Sequence, residues 1–222
     1  FVMDADGSHV EQVVEVEGWR RPCFTWAPGD RQLTYYKPKA LDAGDLWTLD
    51  VDNPGVQEVV TRGHEVYSSA AWSPDRTRLA YTTGNGAGSL YVMDADGRNV
   101  TPVRGGASAK DPAWSPDGKR LAFRSSQGMK SNIFVAELGA GGFARQVTDG
   151  PYWKETPAWV AGGEWIAYAF SGDVHVVSPE GGRSQPLGVQ HGEVLINYFD
   201  WFDPSLELSG GGKLPSVCGA LK

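Results

Sequence analysis

A tryptophan standing before a turn recurs along this chain at a nearly constant interval, and that regularity constrains the fold more than any other feature. Trp26 leads Trp-Ala-Pro-Gly-Asp, Trp72 leads Trp-Ser-Pro-Asp-Arg and Trp114 leads Trp-Ser-Pro-Asp-Gly. Trp159 leads the degenerate Trp-Val-Ala-Gly-Gly, and Trp201 leads Trp-Phe-Asp-Pro. The successive intervals are 46, 42, 45 and 42 residues. An apolar pair follows each of the first four turns: Leu33 and Tyr35, Leu79 and Tyr81, Leu121 and Phe123, Ile166 and Tyr168. Their period of two marks a strand with one buried face. The six residues Val2–Gly7 recur unchanged as Val92–Gly97. Equivalent stretches at Leu46–Asp50, Ile133–Leu138 and Val174–Ser178 read as third strands. Fourth strands follow at Val56–Val60, Val100–Val103 and Ala144–Val147. Each repeat thus predicts four short antiparallel strands in about 43 residues.

Such a unit cannot bury both of its faces alone. Stacked radially, each twisted sheet covers the next, which gives a β-propeller, an all-β fold. Proline fixes φ, and Asp-Gly supplies the tight turn between strands one and two. The tryptophan before the turn ends the innermost strand and is expected to wedge between blades. Four repeats are complete, at 21–63, 64–106, 107–150 and 151–189. Residues 190–209 supply inner strands and residues 1–20 supply outer ones. Together they predict a composite closing blade, five blades in one domain of 222 residues and a monomer, because closure removes exposed edges. The tail 210–222 is off-pattern. The rival reading is a piece of a six- or seven-bladed ring.

The composition agrees with a folded chain: 41% hydrophobic and 21% charged residues rule out wholesale disorder, and 29 glycines and 14 prolines punctuate short strands. The net charge of −7, with no Lys/Arg block, argues against a nucleic-acid partner. No run of about 18 apolar residues exists, so no membrane insertion by a helix is expected. The chain opens at Phe1 in strand-like sequence, without an initiator Met or a signal-peptide pattern, and reads as a processed or truncated product. Cys23 and Cys218 either form one bridge or stay free thiols.

The segment Pro112-Ala113-Trp114-Ser115-Pro116-Asp117-Gly118-Lys119-Arg120-Leu121-Ala122-Phe123 resembles the repeat of TolB-type propellers, the WD-repeat-like family of bacterial proteins. Tyr91–Gly97 is similar to the third strand of that repeat. The resemblance runs to about Pro204. It implies a bacterial cell-envelope setting, periplasmic or secreted, and protein partners. It carries no interface residue across, because the matching positions are structural.

Catalytic signatures are missing. There is no Gly-x-Ser-x-Gly elbow, phosphate-binding loop or His-Glu-x-x-His, so no catalytic residue, metal or cofactor is expected. The histidines His9, His64, His175 and His191 fall in different repeats and read as surface or loop residues. Asp4-x-Asp6-Gly7 and Asp94-x-Asp96-Gly97 resemble the start of a calcium loop, but the downstream Glu is missing and a hairpin turn needs the same residues. Binding is expected where the loops arriving from the previous blade converge on the channel. Four residues before each tryptophan stand Pro22, Ser68, Lys110, Glu155 and Asn197; three before stand Cys23, Ser69, Asp111, Thr156 and Tyr198. The candidate contact residues are Tyr67, Lys110, Asp111, Trp153, Lys154, Glu155, Asn197 and Tyr198. Anchors that recur beside a mouth that varies describe a recognition surface on a rigid scaffold. The loops Lys37–Asp45, Gly84–Ser89, Gln127–Asn132 and Ser171–Asp173 are expected near the rim or on the face of the Pro-Asp-Gly turns.

Three functions compete. The first is a non-catalytic scaffold binding a protein segment or small ligand at the mouth. The second is an accessory propeller of a hydrolase, as in prolyl-oligopeptidase-type and tricorn-like proteases, or a metal-dependent propeller enzyme using Glu155 and Asn197. The third is a structural or engineered repeat scaffold.

Overall fold

In the computed structural model, residues 2, 8–15, 24–28, 31–40, 43–61, 69–83, 89–139 and 143–187 are described. Sixteen strands form four antiparallel sheets of four. The first holds β1 (Phe24–Trp26), β2 (Gln32–Ala40), β3 (Ala43–Asp50) and β4 (Asn53–Val59). The second holds β5 (Ala70–Trp72), β6 (Arg78–Thr82), β7 (Ser89–Asp94) and β8 (Thr101–Ala107). The third holds β9 (Ala109–Trp114), β10 (Arg120–Gln127), β11 (Lys130–Glu137) and β12 (Arg145–Gln146). The fourth holds β13 (Lys154–Trp159), β14 (Ile166–Phe170), β15 (Asp173–Val177) and β16 (Gln185–Pro186). β1, β5, β9 and β13 touch one another in succession, so each sheet's first strand lies on the inside of the arc.

The turns between first and second strands follow from their residues. Ser73 Oγ donates to Asp75 Oδ1 at 2.6 Å, and Asp75 Oδ1 accepts the Thr77 amide at 3.1 Å. Ser115 and Asp117 repeat this, with the Lys119 amide donating at 3.0 Å. These bonds hold both aspartates in the charged form. The Asp75 carboxyl falls to about 2, chiefly through the Ser73 hydroxyl, and Asp117 is lowered chiefly by Ser115.

The period-two pattern becomes a set of interfaces. In the second sheet Leu79, Tyr81 and Met93 face Tyr36, Leu46 and Val60 of the first. Ala80, Leu90, Val92 and Val103, on the opposite face, pack on Trp114, Leu121 and Phe123 of the third. Ala122, Ile133, Val135 and Val147 of the third meet Trp159, Ile166, Tyr168 and Val177 of the fourth. The apolar pairs after Trp72, Trp114 and Trp159 therefore face the preceding sheet. On the first sheet the preceding position is taken by Val2, Val13 and Val14, which pack on Leu33, Tyr35 and Leu49. Val2 and Glu11 pair antiparallel there through two backbone bonds of 2.8 Å.

The repeat tryptophans bind backwards as well. The Trp114 indole N–H donates to the Ala71 carbonyl at 2.9 Å, and that of Trp159 to the Ala113 carbonyl at 3.1 Å. Trp72 uses the Thr34 hydroxyl instead, at 2.8 Å. An arginine from the preceding sheet covers the ring. Arg78 lies 4.7 Å from the Trp114 centroid and donates to Gly118 O at 2.7 Å. Arg120 lies 4.6 Å from Trp159 and donates to Gly163 O at 3.2 Å. Trp26 is 43% exposed, and Trp201 lies outside the described residues.

Candidate functional site

The inner strands β9 and β13 depart from regular strand geometry. Asp111 has φ +52° and Thr156 φ +49°, left-handed values that are uncommon for side chains with a Cβ and rarest for a β-branched one. Both stand three residues before a repeat tryptophan. The ladder slips at the same points, between Ala122 and Arg124 in β10's pairing with β9 and between Glu155 and Ala158 in β13. Each inner strand thus carries a bulge, a device that re-aims side chains. Further upstream Ser108 has φ +53° and Tyr152 φ +74°.

The bulges bring charge together across the seam between the third and fourth sheets. Arg124 Nε donates to Asp111 Oδ2 at 2.5 Å. Its Nη1 lies 3.8 Å from Glu155 Oε1, an ion pair beyond hydrogen-bond distance. Only 14% of the Arg124 side chain is exposed, against 35% of Glu155. The Asp111 amide donates to Ser69 Oγ at 3.0 Å, which links the second sheet to the third. Ser69 and Asp111, each three before its tryptophan, therefore meet at the inner edge, and Arg124 is the residue that sequence reasoning missed. Its signal was its place across the ladder from Lys110, in register.

The other expected contact residues divide. Trp153 is 47% exposed and Tyr152 68%, just ahead of β13. Lys110 is half-buried. Lys154 differs from expectation: it is 3% exposed, with its ammonium 5.1 Å from the Phe170 ring centroid and 3.4 Å from the Pro151 carbonyl. Strand alternation explains this, since neighbours of Trp153 and Glu155 point the other way. Burial lowers the Lys154 ammonium below its ordinary range. Tyr67, Asn197 and Tyr198 lie outside the described residues, as do Cys23 and Cys218.

The β10–β11 hairpin is not on the face of the Pro-Asp-Gly turns. Ser131, in the β10–β11 hairpin, receives the Lys154 amide on its hydroxyl at 2.9 Å and donates that hydroxyl to the Lys154 carbonyl at 2.7 Å. The second-to-third-strand hairpin of one sheet therefore lies beside the connection into the next, on the mouth face. Antiparallel order requires this: turns alternate between the two ends of a sheet. Met129, 90% exposed, sits on this hairpin.

Two expectations about polar motifs also resolve. Asp94–Asn99 is a closed turn, with Asn99 Nδ2 donating to Asp94 Oδ2 at 2.6 Å and the Arg98 amide to Asp96 Oδ1 at 3.0 Å. The copy at Asp4–Gly7 lies outside the described residues. His175 lies on a strand rather than in a loop. It is half-buried on β15 opposite Tyr168.

The TolB beta propeller domain family matches residues 1–186. No curated protein matches the chain. Among solved structures, TolB from Acinetobacter baumannii is similar at a TM-score of 0.67 and 23% identity, covering 83% of this chain and 47% of that one. A putative TolB from Agrobacterium tumefaciens is similar at 0.64 and 18%, covering 74% and 60%. The β-propeller domain of the Trilobed protease from Pyrococcus furiosus is similar at 0.56 and 13%, covering 76% and 56%. The chain spans less than two thirds of each. At these identities the likeness concerns the fold.

Proposed function

The chain belongs to the TolB beta-propeller family, and from that premise we propose a non-catalytic binding scaffold that recognises a protein segment or small ligand at the mouth between the third and fourth sheets. The observation that carries this reading is the seam itself. Arg124 is held by Asp111 and faces Glu155 across the sheets, beside the exposed rings of Tyr152 and Trp153. Strained backbone concentrates at functional sites, and four left-handed residues bracket this one. Aromatic anchors beside charged groups are the usual makings of a binding hot spot. The resemblance implies a bacterial periplasmic or secreted setting and a protein partner. Among the described residues no helix is long and apolar enough to cross a membrane.

Selection of a displayed peptide library against the chain tests the reading. Enriched peptides should lose tenfold or more in affinity on Trp153→Ala or Glu155→Gln. They should keep their affinity on Lys119→Ala, at a turn on the opposite face. Peptides indifferent to both mouth substitutions would overturn the assignment.

We further propose one five-bladed domain, closed by residues 190–209 with 1–20, and a monomer. Two observations support closure. Val13 already packs on the open face of the first sheet. Ala167, Ala169 and Val174 point away from the third sheet yet are only 0%, 3% and 8% exposed.

A second reading, an accessory propeller of a larger hydrolase, is favoured by the likeness to the protease propeller. It requires a hydrolase domain in the same reading frame whose peptide turnover responds to Trp153→Ala.

A further inference from the structure

The four sheets share one internal device, and the fourth alters it. Opposite one another on second and third strands stand Tyr35 and Trp47, Tyr81 and Tyr91, Phe123 and Phe134, and Tyr168 and His175. Tyr81–Tyr91 and Phe123–Phe134 stack at 5.8 Å with interplanar angles of 22° and 17°. Tyr168–His175 keeps the 5.8 Å separation at 33°. Cross-strand partners share a face, and Tyr168 packs on the third sheet, so the imidazole also points into that seam. It is the one member of the four pairs with an ordinary value near neutrality.

The surroundings make a charge there costly. Phe170 meets the His175 ring edge-on at 5.1 Å and 82°. Phe170 also carries the buried Lys154 ammonium, 5.1 Å from its ring centroid. The third sheet holds no such cation: the position of Lys154 there is Ala109, 2% exposed, paired with Ser125 as Lys154 is with Phe170. Among the described residues no carboxylate lies within ion-pair distance of Lys154 or His175, so protonation would place a second cation on the ring that already bears one.

We propose that the Lys154–Phe170–His175 column is an acid-sensitive latch: protonation of His175 loosens the inner strand of the fourth sheet from the third and so disturbs the mouth. The proposal does not depend on the mouth's binding anything. Its link to the mouth is covalent, because Lys154 precedes Glu155 and its backbone is clamped by Ser131 of the third sheet.

The groups facing the column act in both directions, and burial outweighs them. Burial is the largest influence and lowers the His175 imidazole below its ordinary 6.5; Asp173 on the same strand opposes with a smaller effect, and Lys154 adds the smallest, in the same direction as burial. Lys130 of the neighbouring hairpin also disfavours charge on Lys154, whereas Asp149 favours it. Tyr168 stays neutral, raised by burial and touched by Ser184. Pro186 of β16, opposite His175, brings no charge. The folded value of His175 thus lies below the unfolded one. Its contribution to stability is complete above 6.5 and is lost as the pH falls below that value toward the folded one.

The test compares thermal midpoints of the wild type and His175→Phe, which sets an uncharged ring opposite Tyr168, as Phe134 stands opposite Phe123. Lowering the pH from about 7.5 to about 5.5 should cost the wild type roughly 2–4 °C more than the variant. Lys154→Met should reduce that excess. Exchange of the amides at 129–132 and 152–156, corrected for intrinsic rates, should rise selectively in the acid wild type. Should His175→Phe fail to fold, an NMR titration of the wild-type ring decides. A midpoint at or above 6.5, or an acid step that His175→Phe retains, overturns the latch.

Discussion

Trp159 shows what one side chain does in this fold. Its ring fills the seam with the third sheet, its N–H satisfies the Ala113 carbonyl, and Arg120 closes over it. Trp159→Ala should cost about 3–5 kcal/mol in denaturant unfolding, the range for removing a buried aromatic ring. Gly97 is constrained differently. It has φ +81°, and a Cβ there would stand 2.4 Å from the Val60 carbonyl oxygen of the neighbouring sheet. Gly97→Ala should therefore destabilise by roughly 1–3 kcal/mol, through the turn and the sheet contact together. Asp75 titrates to order. Its folded value of about 2 lies below the ordinary 3.8, so its contribution to stability is complete above 3.8 and is lost as the pH falls through about 2. Ser73→Ala removes the main donor, and an NMR carboxyl titration should find Asp75 back toward 3.8.

Between elements, arginines are the connectors that matter, and geometry sorts them. Arg78 and Arg120 each stack on a tryptophan and donate to a carbonyl of the next sheet. Replacing either with Ala should cost about 1–2 kcal/mol, the sum of a partly desolvated cation–π contact and one charge-assisted bond. Arg98 pairs with Asp96 at 3.7 Å on the surface. Arg98→Ala should stay within about 0.5 kcal/mol, because exposed pairs gain little in water. Equal losses for Arg78 and Arg98 would refute this ranking. The β10–β11 hairpin obeys a similar logic: it lies beside the connection into β13 because antiparallel strands return the chain to alternate ends.

At the scale of the whole molecule, each sheet offers two apolar faces, and every seam described is filled from both sides. Trp26 is the outlier at 43% exposed, on the face that Val2, Val13 and Val14 cover only in part. Closure by a composite fifth blade predicts that Trp26→Ala costs as much as Trp114→Ala in chemical denaturation. An open arc predicts a clearly smaller loss for Trp26, and light scattering would then find more than one chain per particle.

The four complete repeats, the strand order within each and the single buried face of each apolar pair were legible in the sequence, because they depend on local turn chemistry and a period of two. Trp114, Leu121 and Phe123 announce their seam wherever the chain places them. The left-handed Asp111 and Thr156, the guanidinium of Arg124 between two sheets, the burial of Lys154 and the imidazole of His175 in an aromatic column were not legible. Each depends on which residues from different repeats arrive side by side, and on how far from water that leaves them. Residue order along the chain determined the repeating unit. Only the packing of one unit on the next decided where charge is stranded, because desolvation is set by neighbours distant in sequence.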